Sequence, residues 1–288
     1  GAGYYATSSA GSSWSPSRQV VANLDQTKNT PSYLDIGAAG TVGLAYRLSQ
    51  QGAVGTVYFA SSSNGISWTT GQFVASSTGM EAVGFQYTTS SAVTEVPAVV
   101  YVNAESAKGT LGFYFTTSSN GGATWGTKRI IDAAGLTTNG NSSFQQDVYG
   151  NLGVLYTYAN GDASLIEARF ATSTSGISWT TSTIAVDTLL GQFTWATGNL
   201  AYVDTMPYIL FSQTIGSNNG DIWSATLDSS GAWTTTIVDN LVGVEDTISS
   251  LVSNGTTTIL AAYPERGDSN KVTFGISVVQ SVPTASTP

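Results

Sequence analysis

The chain has 288 residues and a formal net charge of −9; only 9% of its residues are charged, while its apolar fraction of 41% is ordinary for a globular protein. It contains neither cysteine nor histidine, which excludes thiol nucleophiles, Cys/His zinc sites and Ser-His-Asp triads. Its nine basic residues are scattered, with only Lys128 and Arg129 adjacent, so we expect no nucleic-acid binding, which needs clustered Lys and Arg. No apolar run approaches the roughly 20 residues that span a bilayer, so we also expect no membrane insertion.

Taken in chain order, the sequence repeats one predicted hairpin. Its first copy combines a strand at 4–6, a polar turn and a returning strand at 18–21. The hairpin recurs at four later places, 56–76, 111–132, 166–187 and 222–239. Each turn ends in a tryptophan, and the spacings between these residues are 54, 57, 54 and 54: Trp14, Trp68, Trp125, Trp179 and Trp233.

Two further strands are expected between successive hairpins. The first has a mixed composition and is predicted at 33–36, 82–85, 144–148, 193–196 and 247–251. The second is an apolar run that ends in an aromatic residue, at Tyr46, Tyr101, Tyr156, Phe211 and Tyr263. Such runs are typical of strands that are buried on both faces.

A fixed period of this length indicates a repeat architecture. Four strands per repeat, without helical periodicity, predict an all-β fold, a β-propeller. Five first strands predict five blades of four antiparallel strands, with 18–23 as the outer strand of the last blade, so that the two chain ends close the ring. A sixth, incomplete blade is the alternative, because 4–7 and 272–277 both have the pattern of a third strand.

One period runs through the chain, so we predict a single domain over residues 1–280. Residues 281–288 are rich in Pro, Thr and Ser and predict the start of a linker. Together with the low charge, this tail favours a secreted or cell-surface module of a longer, multidomain protein.

The turn at 118–125 has the sequence Ser-Ser-Asn-Gly-Gly-Ala-Thr-Trp. It resembles the Asp-box, or BNR repeat, of sialidase-like β-propellers, Ser-x-Asp-x-Gly-x-Thr-Trp. Asn120 stands where the family has Asp, and the other copies place Ser9, Ser63 and Thr174 there. The resemblance implies a structural turn between the third and fourth strands, with its tryptophan packed inside the blade. It does not extend to the catalytic sialidase motifs, since no arginine lies in a Phe-Arg-Ile-Pro-like segment.

Acidic residues of the predicted innermost strands suggest a glycoside hydrolase as one alternative function, because such enzymes use two carboxylates about 5–10 Å apart. The candidate catalytic residues are Asp35, Glu81, Asp147, Glu245 and Asp246. The competing interpretation makes them turn residues or ligands of a Ca²⁺ ion in the channel. No cofactor is required by either reading.

The function that we favour from sequence is non-catalytic recognition of a glycan or surface polymer. Five similar blades would offer five similar grooves, in which weak sites gain avidity. Aromatic and amide side chains suit sugars, and the predicted lining comprises Tyr33, Phe85, Gln86, Phe144, Gln146, Gln192 and Trp195. A structural adhesin head without a small ligand is the remaining alternative.

Overall fold

A computed structural model describes the protein at residues 2–8, 12–22, 32–49, 55–77, 83–90, 94–104, 111–132, 142–159, 166–187, 198–214, 220–228, 230–239, 250–253, 258–266 and 272–281. These residues form β-strands and turns. No helix in this part of the chain is long and apolar enough to cross a lipid bilayer. The chain forms two compact units, Gly1–Ala133 and Ala134–Pro288.

The first unit contains one two-stranded and two four-stranded antiparallel sheets. The two-stranded sheet pairs β1 (Ala2–Tyr5) with β2 (Arg18–Ala22). One four-stranded sheet runs in chain order through β3 (Ser32–Ile36), β4 (Val42–Ser49), β5 (Gly55–Ser62) and β6 (Gln72–Ser77). The other runs through β7 (Val83–Ser90), β8 (Thr94–Ala104), β9 (Leu111–Thr117) and β10 (Arg129–Asp132).

The second unit contains two four-stranded sheets and one three-stranded sheet, all antiparallel. The first has β11 (Ser143–Gln146), β12 (Leu152–Ala159), β13 (Ile166–Ser173) and β14 (Thr180–Asp187). The second has β15 (Gly198–Val203), β16 (Met206–Thr214), β17 (Gly220–Leu227) and β18 (Trp233–Asp239). The third has β19 (Ser250–Ser253), β20 (Thr258–Arg266) and β21 (Val272–Ser281).

The aromatic-ended runs are confirmed as the second strand of each sheet that has three or four strands. In β8, Val99, Val100 and Tyr101 are consecutive and all buried. A strand that is paired on each edge and covered on both faces favours apolar side chains at consecutive positions. The apolar run, rather than an alternating pattern, is therefore the signature of this strand.

Two predicted strands are placed differently. The first strand of the fourth repeat is β15, Gly198–Val203, which pairs with β16 through a tight turn at Asp204, whose φ is 55°. The predicted segment 193–196 lies outside the described residues. Residues 18–22 form β2, which pairs with β1 in a separate sheet, while the last sheet has three strands. Five sheets thus begin with a first strand, as expected, and closure by the chain ends stays a prediction.

The turn after β9 is held by two side chains. The buried Ser118 hydroxyl accepts the Gly122 N–H at 2.8 Å and donates to Asn120 Oδ1 at 2.9 Å. Asn120 Oδ1 also accepts the Thr124 N–H at 2.9 Å. Gly121 and Gly122 have φ values of 69° and 94°, a left-handed conformation that favours glycine. The structural role implied by the Asp-box resemblance agrees with this geometry.

The sequence alignment was wrong by one residue in two other turns, while Ser9 of the first copy lies outside the described residues. In the turn after β5, Asn64 Oδ1 accepts the N–H groups of Ile66 and Ser67 at 2.8 and 2.9 Å, so Asn64, not Ser63, takes the role of Asn120. After β13, Ser175 rather than Thr174 accepts the next N–H, from Ile177, at 3.2 Å. These turns are shorter than the turn at 118–125, and counting back from the tryptophan therefore misplaced the acceptor.

The predicted packing of the box tryptophans inside their own blade is also corrected. Three indoles meet an aromatic ring of the preceding sheet edge to face, with ring centroids 5.2–5.5 Å apart: Trp68 on Tyr5, Trp125 on Phe59 and Trp233 on Phe170. Trp179 is half-buried, and its Nε1–H donates to Gly176 O at 3.3 Å. Trp14 is 66% exposed. In Trp68, Trp125 and Trp233 the indole is therefore a contact between neighbouring sheets.

Candidate functional site

An open groove of about 420 Å³ lies in the first unit, between β2 and the face of the β3–β6 sheet. Strand β2 supplies one wall, β4 supplies the floor and the turn between β5 and β6 supplies the other wall. The lining consists of Gln19, Val20, Val21, Tyr46, Leu48, Ile66, Trp68, Thr69, Thr70 and Gly71. None of these side chains carries a charge.

A stacked pair of tyrosine rings lies beneath the groove; Tyr46 is 5% exposed and Tyr58 is partly exposed. Tyr46 and Tyr58 are direct cross-strand partners, and their ring centroids are 5.8 Å apart with an interplanar angle of 19°. Burial raises the pKa of Tyr46, with a smaller contribution from Tyr58. Trp68 closes one end and is anchored edge to face on Tyr5. The rings are thus fixed before any ligand binds.

Polar groups lie along the rim, where Gln19, Thr69 and Thr70 are exposed. Thr69 is held in place, because its N–H donates to Ser61 O and its Oγ1 accepts the Ser61 N–H, both at 2.9 Å. The partly exposed ring of Trp68, with amide and hydroxyl groups beside it, can pack against the C–H face of a sugar and hydrogen-bond its hydroxyls.

The sequence analysis missed this site because no predicted ligand residue contributes to it. The sequence feature that could have indicated the groove is Gly71, three residues after Trp68. A Cβ atom at Gly71 would lie 1.9 Å from the Tyr46 hydroxyl, so only glycine lets that hydroxyl approach.

Of the predicted catalytic carboxylates, the structure describes two, and they lie in different units. Asp35, at the end of β3, accepts the Ile36 N–H at 2.9 Å and the Tyr87 N–H of the next sheet at 2.8 Å. Asp147 is buried, and Oδ1 accepts the N–H groups of Tyr149 and Asn151 at 2.9 and 2.8 Å. Asp147 is therefore a turn residue. Glu81, Glu245 and Asp246 lie outside the described residues.

A carboxylate that the sequence analysis did not select, Glu95, stands close to Asp35. Both of its oxygens accept the Ala38 N–H, at 2.8 and 2.9 Å, so Glu95 ties the β3–β4 turn to the neighbouring sheet. Burial raises the pKa of Asp35, and Glu95 adds to that rise, while the two backbone donors oppose it. Burial, followed by Glu95 and Asp35, also raises the pKa of Tyr87 to about 12.

The predicted ligand-lining residues are mostly packing residues. Phe85 is 5% and Phe144 3% exposed, so their rings are core residues and do not face a ligand. Tyr33 is partly buried, and burial raises its pKa to about 12. Gln86 is half-buried, and the Gln146 amide donates to Gly150 O at 2.9 Å. Gln192 and Trp195 lie outside the described residues.

The prediction of similar grooves in every blade does not hold for the two four-stranded sheets of the first unit. In the next sheet, the pair equivalent to Tyr46 and Tyr58 is Tyr101 and Tyr114, which are 2% and 1% exposed. In the part of the chain that the structure covers, no cluster of three or more acidic side chains could hold a metal ion. The expectation of Ca²⁺ stays a prediction.

No protein-family model and no curated protein matches the sequence. Solved structures do match it. An α-L-arabinanase of Penicillium chrysogenum, complexed with arabinobiose, has a TM-score of 0.59 at 7% identity, over 88% of this chain and 82% of that one. The fold is a β-propeller.

Two further propeller neighbours have different named activities. The Hadza microbial sialidase Hz136 has a TM-score of 0.57 at 12% identity, and the match covers 86% of this chain and 56% of that one. The SapL1 lectin, in complex with alpha methyl fucoside, has a TM-score of 0.50 at 14% identity, over 89% and 81%. At these identities the likeness is one of fold, and function must be argued from the site.

Proposed function

We propose that this propeller is a secreted or cell-surface recognition module that binds a glycan without cleaving it. The observation that supports this proposal is the open groove over Tyr46 and Trp68, with Gln19, Thr69 and Thr70 along its rim. Its volume of about 420 Å³ is within the ordinary range of small-ligand sites. The named ligands of two neighbours, arabinobiose and a methyl fucoside, belong to those proteins.

The absence of cleavage is supported by the state of the described carboxylates. Asp147 is engaged within its own turn, and the Asp35 and Glu95 oxygens accept backbone N–H groups. The groove lining contains no carboxylate of its own. Its polar groups are suited to hydrogen-bonding hydroxyls, which gives binding and orientation rather than proton transfer.

A glycan array tests this function, with millimolar Ca²⁺ in one arm and a chelator in the other. We expect at least one class of oligosaccharide to bind, and the Gln19→Ala and Trp68→Ala variants to weaken that binding. Trp14→Ala is the matched control, because this tryptophan is exposed and lies outside the groove. An array without any signal in either arm would contradict the proposal and favour a structural adhesin head.

A second candidate function, glycoside hydrolysis, is favoured by one observation. Asp35 has a raised pKa and a second carboxylate, Glu95, close enough to contribute to that rise. A general acid needs a raised pKa beside an ionised partner. Release of reducing sugar from arabinan or aryl glycosides, lost in both Asp35→Asn and Glu95→Gln, would establish hydrolysis. No release from any substrate that the array identifies would leave recognition as the function.

A further inference from the structure

Two neighbouring sheets of the first unit carry the same stacked tyrosine pair. Tyr46 and Tyr58 join the second and third strands of one sheet, and Tyr101 and Tyr114 join those of the next. Both pairs have ring centroids 5.8 Å apart, with interplanar angles of 19° and 26°. The two sheets differ in what covers the pair.

In the second of these sheets, a lysine of the chain itself covers one ring of the pair, Tyr114. Lys128 Nζ lies 4.5 Å from the centroid of the Tyr114 ring, in a cation–π contact. Lys128 directly precedes Arg129, the cross-strand partner of Phe115, and it follows Trp125 by three residues. The two rings beneath it are almost fully buried.

In the first sheet the same position is Gly71. It directly precedes Gln72, the cross-strand partner of Phe59, and it follows Trp68 by three residues. Since glycine has no side chain to cover the rings, Tyr58 stays partly exposed beside Gly71, whereas its equivalent, Tyr114, is 1% exposed. The second sheet therefore shows, within the same chain, that an ammonium group can lie over a tyrosine ring of such a pair.

We propose that the groove binds an amino sugar with a free amine, and that its ammonium group occupies over Tyr58, beside Gly71, the place that Lys128 occupies over Tyr114. This inference rests on the proposed glycan function. An ammonium ion is attracted by the ring face, and no residue that lines the groove carries a competing positive charge. The net charge of −9 favours the approach of a polycationic glycan.

The rim distinguishes an amino sugar from a bare ammonium compound. Gln19, Thr69 and Thr70 provide an amide and two hydroxyls above the aromatic floor. A sugar ring presents hydroxyls at several positions around its amine, and it can therefore satisfy the rim and the floor at once. An N-acetylated ring of the same shape keeps the hydroxyls but has lost the charge.

The experiment compares two oligosaccharides of equal length by isothermal titration calorimetry, glucosamine oligomers and their fully N-acetylated counterparts. We expect the charged oligomer to bind about fivefold tighter or more, in keeping with a cation–π contact of about 1 kcal/mol or more. Preference for the charged oligomer should fall when the pH is raised until its amines are neutral. Equal binding of both oligomers, lost in Trp68→Ala, would overturn the amino-sugar inference and leave glycan recognition intact.

Lys128 supplies a gain-of-function test. Lys128→Ala removes an exposed side chain that covers Tyr114, so a second binding site for the charged oligomer should appear and the stoichiometry should rise from one to two. Lys128→Arg keeps a cation over the ring and should stay at one. An unchanged stoichiometry in Lys128→Ala would overturn the inference, as would a lysine-rich peptide that binds more tightly than the amino sugar. Absence of binding by every glycan would overturn the proposed function as well.

Discussion

At the residue scale, the turn after β9 depends on the side-chain oxygen of Asn120. It accepts the Thr124 N–H and the Ser118 hydroxyl, both at 2.9 Å. Asn120→Ala leaves both donors without this acceptor, and each lost hydrogen bond costs about 0.5–1.5 kcal/mol. We therefore expect the free energy of unfolding in urea to fall by about 1–3 kcal/mol.

Two variants of the same turn serve as controls. Ser119→Ala changes an exposed neighbour and should leave stability within about 0.5 kcal/mol. Asn120→Asp keeps the acceptor and restores the residue of the Asp-box, so it should be close to wild type. If Asn120→Ala unfolds at the wild-type urea concentration, the Asn120 side chain does not stabilise the turn.

Gly153, in β12, is required for a different reason: a side chain of a neighbouring sheet lies where a Cβ atom would be. A Cβ atom there would lie 2.1 Å from the Tyr202 hydroxyl and 2.9 Å from the Phe170 ring. Gly153→Ala should lower the melting temperature, at a cost of about 1–3 kcal/mol for overpacking. Adding Tyr202→Phe removes the clashing hydroxyl and should restore part of the loss. A double variant no better than Gly153→Ala would place the clash at Phe170 instead.

At the element scale, the strands that local pattern defines were predictable and their partners were not. The runs ending at Tyr46 and Tyr101 are apolar because their strands are covered on both faces, and this is visible in any single repeat. We predicted a strand at 193–196 because the segment contains two aromatic residues, Phe193 and Trp195. The strand that pairs with β16 is instead set by the tight turn at Asp204, which fixes the register of Gly198–Val203.

The candidate site was less predictable because its contacts are distant in sequence. Asp35 was selected as a catalytic acid, yet its role depends on Tyr87, 52 residues later. Glu95 reaches Ala38 across 57 residues. The difference between the open and the covered tyrosine pair lies in one position, Gly71 or Lys128, which becomes meaningful only when β-pairing aligns the two repeats.

The box tryptophans give a prediction about contacts between sheets. Trp233 and Trp125 make similar edge-to-face contacts, with Phe170 and Phe59. Only Trp233 also donates a hydrogen bond to the neighbouring sheet, from Nε1 to Ser182 Oγ at 2.9 Å; Trp125 Nε1 has no such partner among the described residues. Trp233→Phe should therefore cost about 1 kcal/mol more than Trp125→Phe, measured by chemical unfolding.

Ser182→Ala isolates the hydrogen bond in that comparison. In the Ser182→Ala background, Trp233→Phe should no longer lower the free energy of unfolding much more than Trp125→Phe does, because the acceptor is already absent. A double-mutant cycle measures this coupling directly. Equal losses for Trp233→Phe and Trp125→Phe would show that ring packing alone holds the sheets together.

At the scale of the whole molecule, the chain contains 14 tyrosines and no histidine or cysteine, so its alkaline titration is dominated by phenols and lysines. Burial raises the pKa of Tyr33, Tyr87 and Tyr101 to about 12. The pKa of Tyr202 is raised as well, by burial and then by the Asp147 carboxylate. These four tyrosines lie in three different sheets, so their titration reports on folding in both units.

A raised tyrosine pKa means that the folded protein favours the neutral phenol. Unfolded tyrosines ionise near pH 10, while the three buried ones hold their protons until about pH 12. Their contribution to stability is therefore complete below pH 10 and is lost as the pH rises from 10 to 12. Ultraviolet absorbance of tyrosinate should show two waves in the native protein and one, near pH 10, in urea. A single native wave near pH 10 would mean that these hydroxyls are open to water, and the burial described for Tyr33, Tyr87 and Tyr101 would then be wrong.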